Sequence, residues 1–258
     1  MPNQGARILN PVNREGADFQ GCSFCLLYKA GQCRDARVRH KPNESTPSES
    51  TSVAALPSMS RHTILARQMI HSPREFSDYV LCLCAGQAVS SIALPDGRRQ
   101  IIEVLLPGDV VYWTDLFEPM SGRLIEAIEN STYRKIARKD FFFLLAQQPD
   151  IFDAFMQTCI RKKNEGDNLA LTLGRRDALQ RIARFILDLA MKLIDRGFAK
   201  NQTIRFSLRL RHIADATGLT PVHTSKMLRQ LRRDRVIDLE SRSLTVSDMP
   251  QLRQIAGP

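Results

Sequence analysis

Residues 209–237 read RLRHIADATGLTPVHTSKMLRQLRRDRVI, and the fold follows from how this stretch is understood. Leu210, Ile213 and Ala214 supply a short apolar stripe for a first helix. Gly218 stands where the chain must turn sharply, and glycine accepts the positive φ such a turn can require. Thr220 then reads as an N-cap and Pro221 as the first helical position, where a missing N–H costs nothing. The second helix sets Thr224, Leu228 and Leu231 on one side and Val222, Ser225, Lys226, Arg229 and Arg233 on the other. One packed face and one basic face, entered through a glycine turn, is what a helix-turn-helix needs. Its first helix braces the second, whose N-terminal half enters the DNA major groove. A solvated amphipathic helix pair would show the same basic face.

The residues that follow favour the first of these two readings. Ile237-Asp238-Leu239-Glu240 and Leu244-Thr245-Val246 read as short strands around the polar turn Ser241-Arg242-Ser243, which makes a wing. Residues 201–258 hold ten Lys and Arg against five Asp and Glu, a charge suited to phosphates.

Residues 218–226, GLTPVHTSK, together with Leu231, Ile237 and the wing, resemble the C-terminal domain of Crp/Fnr transcription regulators. The resemblance runs over about residues 63–256 and is strongest in the helix-turn-helix and the helix before it. It implies a homodimer on double-stranded DNA, with RNA polymerase as a further partner. The DNA-binding set is then Arg209 and Arg211, the turn and first turn Thr220, Pro221, Val222 and His223, and Ser225, Lys226, Arg229 and Arg233 along the second helix. Relatives often place an acidic residue two positions after the threonine-type cap and an arginine four further on, both reading bases. Here those positions hold Val222 and Lys226. Valine offers only apolar contact, and lysine lacks the two-pronged guanidinium, so a recognition sequence different from that of the Glu/Arg relatives is expected, with His223 and Ser225 adding polar contacts.

With 258 residues and 43% hydrophobic content, the chain can build one large or two modest cores. A net charge of +10 favours polyanionic partners. No apolar run approaches the ~20 residues of a membrane span, and the N-terminus lacks the apolar segment of a secretory signal. A cytoplasmic protein is expected, in which the six cysteines stay reduced, bind metal or sense redox state.

Half of those cysteines fall in residues 21–33, GCSFCLLYKAGQC, at the spacing C-x2-C-x7-C. Cys22 and Cys25 can grip one metal centre from a single turn, and Cys33 can fold back onto it. Several oxygen-sensing Crp/Fnr proteins carry such a cluster, and the resemblance implies a [4Fe-4S] centre with a fourth cysteine from the β domain. In this chain that position falls on Arg134. Cys82 and Cys84, two apart on a strand, read equally as packing residues, and Cys22, Cys25, Cys33 and His40 make an alternative zinc set.

Residues 41–60, KPNESTPSESTSVAALPSMS, read as a linker. Short strands and turns follow from 63 to about 138, with Pro95-Asp96-Gly97 and Pro107-Gly108-Asp109 as turns. This spacing predicts a two-sheet or closed antiparallel structure, which the resemblance implies is a β-roll sensor domain. Cyclic-nucleotide-binding relatives carry a Gly-Glu segment and an Arg-Ser/Thr pair. Neither is matched by Asp109 onward or by residues 120–124, MSGRL, which speaks against cAMP; Arg123 alone is a weak anion site.

Helices begin near Lys139. Residues 151–173 read as a long helix with Phe155, Cys159, Leu169 and Leu173 at helical spacing. It either packs on its own domain or, as the resemblance implies, is a dimerisation helix, with Cys159 near the seam as a packing residue or a redox thiol. Residues 181–193 form a strongly amphipathic helix opening the last domain. The expected fold is α+β: residues 1–58 a cysteine-containing segment and linker, 59–148 an antiparallel, jelly-roll-like β-roll, 149–176 the long helix, and 177–258 a winged helix-turn-helix. No Ser/His/Asp or Cys/His set, P-loop or G-x-G-x-x-G points to an enzyme.

Overall fold

A computed structural model describes residues 59–72, 78–111, 122–200, 203–240 and 242–258. Strands β1 (Ser60–Ile64), β2 (Met69–His71), β3 (Tyr79–Ala85), β4 (Ala88–Ala93), β5 (Arg99–Leu105), β6 (Val110–Val111), β7 (Arg123–Ala127) and β8 (Ser131–Ala137) come first. They pair antiparallel into two four-stranded sheets, ordered β1-β8-β3-β6 and β2-β7-β4-β5. Helices α1 (Arg138–Gln147), α2 (Pro149–Arg175) and α3 (Ala178–Asp195) follow. The C-terminal part comprises β9 (Ala199–Lys200), β10 (Thr203–Arg205), α4 (Leu210–Thr217), α5 (Pro221–Arg233), β11 (Ile237–Glu240), β12 (Ser243–Val246) and α6 (Met249–Ala256), with a third sheet ordered β11-β12-β10-β9. The architecture is α+β, an antiparallel β-roll joined by a long helix to a winged helix-turn-helix.

Three apolar clusters explain why these strands read as continuous apolar runs rather than alternating ones. Leu81 and Leu83 of β3 meet Leu105, Ile125 and Tyr133 between the two sheets. The opposite face of β3 turns Val80 and Cys82 toward Phe141, Leu144, Ile151 and Phe155 of α1 and α2. Beyond the second sheet, Val89, Ile101 and Val104 join Ile182, Ile186, Ile213 and Leu231 of the helical C-terminal part. The β-roll is thus covered on both outer faces, on one side by the start of α2 and on the other by the helix-turn-helix.

Helix α2 carries two apolar stripes where the sequence suggested one. Phe155 is buried and Cys159 packs beside it on the cluster of β3, so the stripe that includes Cys159 faces this chain's own β-roll. The outward stripe is Phe152, Met156, Ile160 and Leu171, each at least 40% exposed. The two stripes lie about 100° apart on the helix, so they merge when only spacing is read. Lys162, on the inward side, is buried in an ion pair with Glu103 of β5; burial pushes it down to about 7, Lys192 adding to the effect and Glu165 opposing it. Strands β1, β2, β9 and β10 and helix α6 were not anticipated. The strands are short and carry polar residues, and α6 has Pro250 near its start.

Candidate nucleic-acid interface

The local signals of the turn are realised atom by atom. Gly218 has φ +65°, the left-handed conformation that closes α4. Thr220 Oγ1 accepts the His223 N–H at 3.2 Å, and Pro221 occupies the first turn of α5. Thr224, Met227, Leu228 and Leu231 are buried against the domain core, which fixes the roll of α5. The opposite face is open: Pro221, Val222, His223, Lys226, Arg229, Arg232 and Arg233 are exposed, Val222 by 79%, and Ser225 is half-buried.

The wing follows directly, with Ile237 opposite Val246 and Glu240 opposite Ser243. Between it and the end of α5 lies a cleft of about 520 Å³, lined by Arg229, Arg232, Arg233, Arg235, Asp238 and Ser247 among others. Asp238 Oδ1 accepts Arg232 Nε–H at 3.1 Å and steers that guanidinium toward the wing. Arg229 bonds back to the Ser225 carbonyl at 3.3 Å. Four guanidinium groups and one carboxylate give the cleft the sign that a phosphate backbone needs.

Two residues of the sequence-derived set lie outside α5, and one of them turns toward the β-roll. Arg209 precedes α4 and offers its backbone N–H to His212 Nδ1 at 3.1 Å. Arg211 turns away from α5 toward the β-roll, where its Nη2 meets Glu126 Oε1 of β7 at 3.0 Å. The reason is electrostatic. Glu126 is a carboxylate inside an apolar strand, and it also takes Arg99 Nη1 at 2.7 Å. Burial alone would raise Glu126, yet Arg99 and Arg211 hold it below the usual carboxylate range. Arg99 reaches on to Asp215 of α4 with Nε at 2.7 Å, and Gln100 Nε2 donates to the Ala216 carbonyl at 2.9 Å. Spacing along the chain did not reveal this set; the one local hint was a glutamate among Leu124, Ile125, Ala127 and Ile128. His212, packed beside it, is pushed down to about 4 by burial, with Arg211 adding to the effect.

Cys22, Cys25, Cys33 and His40 lie outside the described residues. Among the described residues, no three His, Cys, Asp or Glu side chains are grouped to hold a metal ion. Arg134, where relatives place a fourth cysteine, is buried on β8 directly opposite Cys82 of β3. Cys82 is fully buried, Cys84 half-buried with its thiol on the Cys82 carbonyl, and the Cys159 thiol is pushed up by burial. In the region where relatives cradle a cyclic nucleotide, Asp109 accepts the Leu106 N–H and an Arg196 guanidinium, and Arg123 reaches Ser90 Oγ at 3.4 Å.

Residues 180–255 match the family described as the Crp-like helix-turn-helix domain. The transcriptional activator protein FnrL of Cereibacter sphaeroides is 27% identical over 240 residues, 88% of this chain and 92% of its own length. The nitrogen fixation regulation protein FixK of Bradyrhizobium diazoefficiens is 28% identical over 64% of this chain and 68% of its own. The C-terminal domain belongs to the Crp-like helix-turn-helix family, and similarity to Crp/Fnr regulators extends along most of the chain. The fold of this Crp/Fnr regulator agrees with the solved structure of FixK2 from Bradyrhizobium japonicum at a TM-score of 0.70, with 23% identity over 78% of this chain and 98% of that one. With a Crp-like helix-turn-helix domain and transcription regulators as its relatives, it is a DNA-binding regulator of the Crp/Fnr type rather than an enzyme. Among the described residues, no helix is long and apolar enough to cross a membrane.

Proposed function

We propose that this regulator binds a near-palindromic DNA site as a homodimer, one recognition helix α5 in each half-site. The observation that carries the reading is that one chain leaves two complementary faces open, the basic face of α5 and the apolar stripe of α2. Pairing the α2 stripes of two copies covers that apolar surface and sets two α5 helices side by side, to be spaced one helical turn apart, ~34 Å. Val222 and Lys226 then face base edges, Val222 suited to a thymine methyl, while Arg229, Arg233 and Arg235 meet phosphates. The relatives' names, an activator of transcription and a regulator of nitrogen fixation, support control of transcription; a cytoplasmic location and RNA polymerase as a partner complete the proposed reading. Binding of a palindrome measured from 50 to 200 mM salt should weaken by about 10³-fold or more if six or more phosphates are contacted. A flat salt dependence, or equal affinity for one half-site and two, overturns the reading.

The signal proposed is oxygen or redox state, received at Cys22, Cys25 and Cys33. The support is their C-x2-C-x7-C spacing. A [4Fe-4S] centre held there would supply an oxygen-labile switch. The described residues fit such a centre only in part. Arg134 cannot ligate, and the Cys82 thiol beside it is sealed in the core. Iron and sulfide in anaerobically prepared protein, lost when Cys22, Cys25 and Cys33 become serine, are the expected result. Bound zinc, or unchanged DNA binding in the triple variant under both atmospheres, rejects the switch and leaves the DNA-binding reading intact.

A further inference from the structure

Beside the apolar cluster shared by the β-roll and the DNA-binding part lies a small polar joint. Arg99, at the start of β5, spans two carboxylates, Glu126 on β7, one strand away across β4, and Asp215 in the last turn of α4, each at 2.7 Å. Gln100 adds a bond to the Ala216 carbonyl one residue on. The side chains of Arg99, Glu126 and Asp215 are 20%, 10% and 28% exposed, so the ions are partly shielded from water and their geometry matters. Leu173, near the end of α2, stands close to the same turn: a Cβ built on Gly218 would be 3.2 Å from its Cδ2. The turn between α4 and α5 is therefore gripped by β5 on one side and approached by α2 on the other.

This grip does not obstruct the DNA-binding face. It engages the last turn of α4, while Val222, His223, Lys226 and Arg229 remain exposed in the same conformation. Together with the apolar cluster beside it, the grip ties α4, and through it α5, to the β-roll. In a dimer built on α2, the angle of α5 to the β-roll determines how far apart the two recognition helices stand. We propose that Arg99 is a positioning residue which, through Asp215, fixes the separation of the two recognition helices and so determines the half-site spacing the dimer accepts. The charge pattern suits this role. Glu126 also takes Arg211, so releasing α4 leaves a buried carboxylate with fewer cations, and the joint resists opening.

The inference rests on the dimeric, palindrome-binding reading. The test uses full-length protein and duplexes selected by the wild type from a randomised pool. The selected half-site is presented singly, as an inverted repeat at the selected spacing, and at spacings one and two base pairs longer and shorter. Arg99→Ala and Asp215→Asn should each lower the preference for the selected spacing by about tenfold, the size of a typical coupling between sites. Affinity for a single half-site should stay within about twofold, because Arg99 and Asp215 lie off the exposed face of α5 and independent sites barely couple. Arg98→Ala serves as the control: Arg98 is exposed and, among the described residues, its side chain pairs with the nearby Asp96, so spacing preference should not change. Thermal unfolding confirms that each variant is folded, and a merely structural role would lower half-site and full-site binding together. Unchanged spacing preference in both folded variants overturns the proposal, as does a gain in affinity, which would mean that the joint restrains binding. If the wild type itself shows no spacing preference, it is the dimeric reading that fails.

Discussion

His212 shows how one buried ring links acidity to the stability of the DNA-binding part. Its Nδ1 accepts the Arg209 N–H and so closes the start of α4. Burial, with Arg211 beside it, pushes it down to about 4 from an ordinary 6.5. Between those values the unfolded chain binds the proton that the folded chain refuses. The stability from a neutral His212 is therefore complete above about pH 6.5 and is lost as pH falls toward 4. Melting temperature measured across that window should fall more steeply for the wild type than for His212→Gln, whose amide can still accept the Arg209 N–H without titrating. Parallel slopes would show that the acid sensitivity lies elsewhere. At this scale the sequence was most legible where the signal was local. Gly218, Thr220 and Pro221 announce their roles because a turn and a helix start are decided by a few adjacent residues. Arg99 was illegible because its partners lie 27 and 116 residues away, and nothing at Arg99 itself points to them.

Among the elements, α2 is the one on which the proposed dimer depends. The four-residue spacing of Phe152, Met156 and Ile160 sets an apolar ridge facing away from the β-roll. A charge at its centre would be buried without a partner in the proposed dimer but would stay solvated in the monomer. Ile160→Glu is expected to raise the dimer dissociation constant by about a hundredfold or more in sedimentation equilibrium. Its unfolding midpoint at low concentration should change little, since Ile160 is 50% exposed in the single chain. An unchanged dissociation constant would remove this stripe from the interface. The helix itself was readable from the sequence, but the roles of its faces were not. Phe155 and Cys159 sit at helical spacing like the outward residues, and only packing against Val80 and Cys82 tells the stripes apart. Strand β3 presented the same difficulty. YVLCLCA is apolar enough to announce a strand, but with both faces buried no alternation marks which side meets which cluster.

On the scale of the whole molecule, sequence patterns separate a β-rich part from a helical one, and the chain does follow that order. They do not show how tightly the parts are joined. Val89, Ile101 and Val104 of the β-roll lie in one apolar cluster with Ile186, Ile213 and Leu231, and around it Arg196 meets Asp109 while Arg205 and Ser207 meet Glu129. Such contacts form between residues scores of positions apart, so composition and periodicity are blind to them.

That shared cluster limits how such regulators can be recombined. The outer face of β4 and β5 belongs structurally to the DNA-reading part although it is encoded with the β-roll. A hybrid cut cleanly between α2 and α3 would expose Val89, Ile101 and Val104 to whatever surface the grafted part presents. A workable exchange has to carry that strip of sheet along with the helix-turn-helix it supports, so the unit that can be transplanted as a block is not contiguous in the gene.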